Sequence, residues 1–216
     1  MNMATTTIEN VWTVVVAAGS GTRFGGAKQF EMVGDRRVLD WSTAVAHSVS
    51  NGVVVVLPEA YVASERGVAG GSTRSSSVRC GLAAVPVEAT IICVHDAARP
   101  FASEHLFREV IAAVRNGADG AVPAVAVFDT IKQIDAHNVV IATPNRASLV
   151  AVQTPQAFRA SVLREAHAAN PEGTDDAALV EALGKRVVVI TGEYLNRKLT
   201  TPEDLEWARA AARGEV

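Results

Sequence analysis

The chain has 216 residues, of which 49% are hydrophobic and 20% charged, with a formal net charge of −3. That balance excludes a disordered chain, and a slightly negative charge removes the electrostatic case for nucleic-acid binding, which would show a basic face; any phosphate site must be a local cluster of basic residues. No apolar stretch approaches the ~20 residues of a membrane span, and Met1 to Asn10 lack the basic flank and apolar run of a signal peptide, so the expectation is a cytoplasmic protein with no membrane partner.

The length suits a single domain over residues 1–216. The first apolar run, Val11–Ala17, leads into a small glycine-rich loop, Ala17–Ala18–Gly19–Ser20–Gly21–Thr22–Arg23–Phe24, with Lys28–Gln29–Phe30 just beyond. Glycines there let backbone N–H groups approach a polyphosphate and form an anion nest, and Arg23 and Lys28 add two positive charges suited to a triphosphate under attack at its α-phosphorus. A dinucleotide loop would want glycine where Phe24 stands, and an acid about 20 residues on, whereas the next strand ends near Leu57–Pro58–Glu59. The P-loop pattern does not occur. A glycine turn with solvated charges remains the plain alternative.

Val53–Leu57 is a second strand. Gly70–Gly71–Ser72–Thr73–Arg74–Ser75–Ser76–Ser77 follows, supplying small donors and acceptors for a base edge or ribose, with Arg74 and Ser77 the better functional candidates. The same serines would serve equally as helix caps. Ile91–Val94 runs into His95–Asp96–Ala97–Ala98–Arg99 at a strand's carboxyl end, where open α/β sheets bind ligands. Asp96 suits Mg²⁺, which bridges a few carboxylates and substrate phosphates. Arg99 would clamp a second phosphate, or the two would form a structural ion pair; His95 reads as a satisfied core residue. Cys80 and Cys93 read as buried thiols.

Ser103 caps a helix whose Leu106, Phe107, Val110, Ile111 and Val114 share a face, stopped by Gly117. Ala121–Phe128 and Val187–Thr191 are further strands, and Thr201–Pro202–Glu203–Asp204 opens a last helix. Short strands apolar on both faces, alternating with helices, predict an α/β fold: a Rossmann-like open, mostly parallel sheet with right-handed crossovers and helices on both faces. Residues 128–150 break the rhythm as a β-hairpin, Thr130–Ile134, Asp135–Asn138 and Val139–Thr143, whose Lys132, Gln133 and Asp135 leave little apolar surface for its own domain. Isolated hairpins are marginal in water, so this one is expected to protrude as a dimerisation arm.

The loop with Lys28–Gln29, the Gly70–Val78 stretch, Val94–Pro100, Asp129–Lys132, Thr154–Pro155–Gln156, Thr174–Asp175–Asp176 and Lys198–Leu199–Thr200 occur in this order. Over roughly Val11 to Ala208 the chain resembles the 2-C-methyl-D-erythritol 4-phosphate cytidylyltransferases. The resemblance implies a homodimer that uses CTP as co-substrate with Mg²⁺, and methylerythritol phosphate as acceptor. It implies catalytic roles for Arg23, Lys28, Arg146 and Lys198. Nucleotide contacts would come from Ala17, Ala18, Gly19, Gly21, Gly71, Ser72, Arg74, Ser77, Asp96 and Ala97, with Asp96 on the metal. Arg99, Thr130, Arg146 and Lys198 would hold the acceptor, Thr130 and Arg146 in the neighbouring subunit's site. Val16 and Ala27 stand where Pro is common, Ser72 replaces a frequent acid, and Asn145 stands where an acid is common. A ribitol 5-phosphate cytidylyltransferase shares several of these features, and a non-catalytic nucleotide sensor is the reading from another class.

Overall fold

The fold is that of a computed structural model, which describes residues 10–19, 21 and 24–216. In chain order the elements begin with β1 (Val11–Val16), β2 (Met32–Val33), β3 (Arg36–Arg37), α1 (Val38–Val49) and β4 (Gly52–Leu57). Then come α2 (Val62–Glu65), β5 (Val68–Ala69), α3 (Arg74–Ala84), β6 (Ile91–Asp96), α4 (Glu104–Arg115) and β7 (Gly120–Ala126). The remainder is β8 (Gln133–Ile134), β9 (Val140–Ala142), β10 (Val150–Val152), β11 (Gln156–Arg159), α5 (Ala160–His167), α6 (Asp176–Ala182), β12 (Val187–Thr191) and α7 (Pro202–Ala212).

The main sheet is eight-stranded. β5, β4, β1 and β6 lie side by side and parallel, with β12 parallel to β7 at the far side. Between β6 and β7 the chain inserts a run of the opposite sense: β11 pairs antiparallel with both, and β10 pairs antiparallel with the end of β7. The sheet is therefore mixed and mostly parallel, as the βα rhythm predicts, but β10 and β11 were invisible to that rhythm.

Strand alternation sorts the core by face. Val14, Val54, Val56, Ile92, Val94, Val122 and Phe158 pack against α3, α5 and α6, through Val78, Leu82, Leu163, Ala177 and Val180 among others. Val11, Ile91, Cys93, Ala121 and Ala157 face α4, whose Phe107, Val110, Ile111 and Val114 form the predicted stripe. Val15 and Ala17 meet Leu39 and Ala46 of α1 on that same side. Gly81 lets α3 ride close on the sheet, because a Cβ there would lie 2.4 Å from Val14 Cγ1. Cys93 is fully buried, and burial pushes its thiol up to about 12; Cys80 is half-buried and also unpaired.

The hairpin at 128–150 forms, with shorter strands than its sequence suggests. Gln133 pairs with Ala142 and Ile134 with Val140, across a turn in which Asn138 takes φ 61° and Asp135 Oδ1 accepts from His137 and Val139 N–H. It is more apolar than Lys132, Gln133 and Asp135 suggest: Ile131, Ile134, Val139, Val140 and Ile141 are all exposed.

Candidate active site

The order of strands fixes where a site should lie. From β1 the chain passes to β4 and β5 on one side, then crosses to β6 on the other. Ligands in open α/β sheets bind at such a reversal, outside the carboxyl ends of the strands. Here Val16 of β1 stands beside Asp96 of β6, and the backbone stays knitted one step further, with Ala97 N–H donating to Val16 O at 3.0 Å.

A cavity of about 640 Å³ opens at this point. Its lining includes Ala17, Ala18, Gly19 and Gly21 after β1, Gly71, Ser72, Thr73, Arg74 and Ser77 at the start of α3, and Asp96, Ala97, Ala98, Lys28 and Lys198. Every nucleotide-contact candidate from the sequence thus reaches one cavity. Arg23 lies outside the described residues. Thr130 and Arg146 do not line the cavity: both are exposed on the hairpin, where Arg146 donates to Phe128 O.

Gly21 shapes the loop. Its φ of +65° favours glycine, its carbonyl collects the N–H groups of Phe24 and Gly25 at 2.8 and 2.9 Å, and a Cβ would meet Gly26 O at 1.8 Å. Lys28 then starts a 3₁₀ turn, and its ammonium donates to Leu199 O at 2.6 Å. At the start of α3 the two readings of the serines divide. Thr73 is the N-cap of α3, accepting from Ser76 N–H, with the Ser76 hydroxyl returned to Thr73 N–H. Buried Ser77 instead braces the cavity wall, donating to Thr73 O at 2.8 Å and accepting from Gly71 N–H at 3.2 Å.

Among the described residues Asp96 is the one carboxylate in the lining, against Lys28, Arg74 and Lys198. Its Oδ1 accepts from Arg74 Nε at 3.2 Å and its Oδ2 from Lys198 Nζ at 2.5 Å. Burial alone would push this carboxyl up, but the Arg74 and Lys198 charges hold it well below the usual carboxylate range. Arg74 mirrors it. Burial pulls its guanidinium down, and Asp96 and Asp176 more than restore it. Lys28, Arg74 and Lys198 line the cavity with Asp96, and Asp176 offsets part of the Arg74 charge from behind, which still leaves the lining locally positive in a chain of net charge −3, the basic cluster that a polyphosphate requires.

Arg99 sits behind the cavity rather than in it. Its guanidinium donates to Asn196 O at 2.8 Å and to Val152 O at 3.4 Å, tying the segment before Lys198 to β10. His95 is fully buried and structural, as read. Burial lowers its pKa to about 4, and its ring spans Thr154 Oγ1 at 3.1 Å and Arg99 O at 3.2 Å. Thr154 had no assigned role in the sequence, yet its hydroxyl accepts Asp96 N–H at 3.0 Å and so fixes the strand end. Gln153 and Asn196, both buried, brace the 193–199 segment: Gln153 Nε2 donates to Glu193 O, and Asn196 Nδ2 to Thr154 O.

Comparison with known proteins agrees over nearly the whole chain. Residues 11–213 match the family described as IspD, 2-C-methyl-D-erythritol 4-phosphate cytidylyltransferase. A relative from Rhodococcus opacus (strain B4), carrying that enzyme name, is 45% identical over 91% of this chain and 92% of its own. The bifunctional enzyme IspD/IspF of Nitratidesulfovibrio vulgaris (strain DP4) is 42% identical, and here the chain spans only 56% of the relative's length. Among solved structures, the 4-diphosphocytidyl-2C-methyl-D-erythritol synthase of Anaerococcus prevotii superposes with a TM-score of 0.83 at 32% identity, covering 95% of this chain and 99% of that one.

Proposed function

Because the chain belongs to the 2-C-methyl-D-erythritol 4-phosphate cytidylyltransferase family, we propose that it transfers CMP from CTP to 2-C-methyl-D-erythritol 4-phosphate. The products are 4-diphosphocytidyl-2-C-methyl-D-erythritol and pyrophosphate, in non-mevalonate isoprenoid precursor synthesis. The observation that carries the reading is the cavity at the β1/β6 reversal, lined by Lys28 and by Asp96 with Arg74 and Lys198 on its two oxygens.

A phosphate oxygen of the acceptor attacks the α-phosphorus of CTP. The bond from the α-phosphorus to the bridging oxygen breaks, and pyrophosphate leaves with the electron pair. The attacking oxygen is already anionic at neutral pH, so the protein needs no general base; it needs to hold two polyanions in line. Lys28 and Lys198 stabilise the charge that gathers on the equatorial oxygens. Arg23 keeps the same role, on the resemblance alone. The Gly70–Ser77 wall receives cytosine and ribose.

Mg²⁺ fits the donor set. No group of three or more His, Cys, Asp or Glu side chains gathers among the described residues, and Mg²⁺ in such sites takes one or two carboxylates plus substrate phosphates. Asp96 would hold it, and the ion would neutralise the triphosphate and ease departure of pyrophosphate. Lys198, which lines the cavity beside Asp96, would offer its ammonium to the acceptor phosphate.

The reading further makes residues 1–216 one nucleotidyltransferase domain acting in the cytoplasm as a homodimer, with 128–150 reaching across. Its support is the exposed apolar hairpin, together with the absence of Thr130 and Arg146 from their own chain's cavity. Pyrophosphate release from CTP and Mg²⁺, with methylerythritol 4-phosphate against ribitol 5-phosphate, tests the chemistry. Turnover with methylerythritol phosphate alone is expected, turnover with ribitol phosphate alone reassigns the acceptor, and silence with both overturns the transferase. Light scattering tests the dimer, which a monomer at micromolar concentration would refute.

A further inference from the structure

Asp96 and Asp176 are the buried acidic residues among those described, and one guanidinium lies between them. Arg74 gives Nε to Asp96 Oδ1 at 3.2 Å and NH1 to Asp176 Oδ2 at 2.8 Å. Behind Asp176, buried His167 completes the series, its Nε2 2.9 Å from Asp176 Oδ1. A continuous polar chain thus runs His167–Asp176–Arg74–Asp96–Lys198, from beneath α6 to the cavity.

Helix α6 does not need Asp176 for its own start. Asp175 is the N-cap, accepting Ala178 N–H at 2.9 Å on Oδ1 and Gln156 Nε2 at 2.8 Å on Oδ2. Both oxygens of Asp176 are instead committed to Arg74 and His167. A guanidinium facing a lone carboxylate tends to take both oxygens side by side. If Arg74 did so, it would cover Asp96 Oδ2, the oxygen now held by cavity-lining Lys198. Splitting its donors between two carboxylates restricts Arg74 to Oδ1.

We infer that Asp176 is a positioning residue for the nucleotidyl transfer: anchored by His167, it holds Arg74 to one oxygen of Asp96 and leaves the other presented to the cavity. The inference rests on the cytidylyl-transfer reading above.

The test is pyrophosphate release by the full chain with CTP, Mg²⁺ and methylerythritol 4-phosphate, at a temperature where circular dichroism shows every protein folded. The proteins are wild type, Asp176→Asn, Arg74→Lys and the double variant. Asp176→Asn keeps the shape and removes the charge; kcat/KM for CTP is expected to fall about 10- to 100-fold, the usual effect of losing a group that orients a ligand-bearing residue. Because Asp176 acts through Arg74, the double variant should be no slower than Arg74→Lys alone. A purely structural Asp176 would lower Tm while leaving kcat/KM of the folded protein at the wild-type value, or its loss would multiply with that of Arg74→Lys; either result overturns the inference. If Asp176→Asn does not fold, His167→Asn loosens the same carboxylate from behind, and an unchanged kcat/KM there is equally fatal. An active wild type with a normal Asp176→Asn removes this inference only, whereas an inactive wild type removes the transferase reading and the inference with it.

Discussion

Lys198 Nζ lies 2.5 Å from Asp96 Oδ2, so the carboxylate of the cavity carries its counter-ion from a residue 102 positions away. The Lys198 side chain is 42% exposed and Asp96 only 10%, so the pair stands at the rim, with the ammonium on the solvent side. Its value for function lies in holding positive charge where phosphates would enter, but Asp96 is buried, and removing one partner of a buried carboxylate also costs stability. Lys198→Ala is therefore expected to cut kcat by about 10² to 10³, the range for losing one preorganised charge at a transition state, with a modest fall in melting temperature, since Arg74 still pairs with Asp96. Pyrophosphate release and a thermal melt on the same sample check both halves, and wild-type kcat would remove Lys198 from the chemistry.

Arg146 and Lys28 should complement each other between subunits. Lys28 lines the cavity and Arg146 stands on the exposed hairpin of the same chain. Under the two-subunit reading, Lys28→Ala and Arg146→Ala homodimers are each nearly inactive for different reasons. Unfolding and refolding them together gives mixed dimers in which one of two sites is intact, so about a quarter of wild-type activity should return from random pairing in a two-fold dimer. A silent mixture would mean that each arm serves its own chain.

The parallel half of the sheet and the ligand edge are legible because β1, β4 and β6 are short apolar runs, and chemistry-bearing residues stand directly at the ends of β1 and β6. β11 is not. Gln156–Arg159 is four residues long and starts on a buried glutamine, whose amide N–H is accepted by Asp175. Arg99, close to Asp96 in sequence, reads as a phosphate clamp or as half of a structural ion pair. The acceptors it meets in the folded chain, Val152 O and Asn196 O, are distant in sequence and carry no side-chain signature, since both are carbonyls. Asp176 was hidden for a related reason: an acid in a helix's first turn reads as a complement to the dipole, and only the folded chain sets it against Arg74.

Close helix–sheet packing predicts the cost of one methyl group. At Gly81 a Cβ would lie 2.4 Å from Val14 Cγ1 and 2.9 Å from Val56 Cγ2, and both valines are fully buried. Neither can swing aside as a long side chain would, so α3 must lift from β1 and β4. Gly81→Ala is expected to destabilise by about 1–3 kcal/mol, as overpacking does, lowering Tm by roughly 2–4 °C per kcal/mol in a domain this size. Differential scanning calorimetry checks it. An unchanged or raised Tm would show that the helix shifts at no cost.

His95 sets the acid limb of stability. Its Nε2–H donates to Arg99 O, while Nδ1 accepts from the Thr154 hydroxyl, whose oxygen in turn takes Asp96 N–H. This arrangement wants a neutral ring, and burial lowers the folded pKa from 6.5 to about 4. A histidine depressed in this way gains protons first in the unfolded state, so stability is full above about pH 6.5 and falls as pH drops toward 4. The loss should be on the order of 3 kcal/mol across that window. Carboxylates such as Asp96, held low by their cationic neighbours, give up their contribution only below about pH 4, so the two effects separate on the pH axis. Urea midpoints at pH 7 and pH 4.5 should therefore differ more for wild type than for His95→Gln, which starts less stable but has no proton to gain. Parallel falls in both proteins would mean that the ring is not held neutral between Thr154 and Arg99.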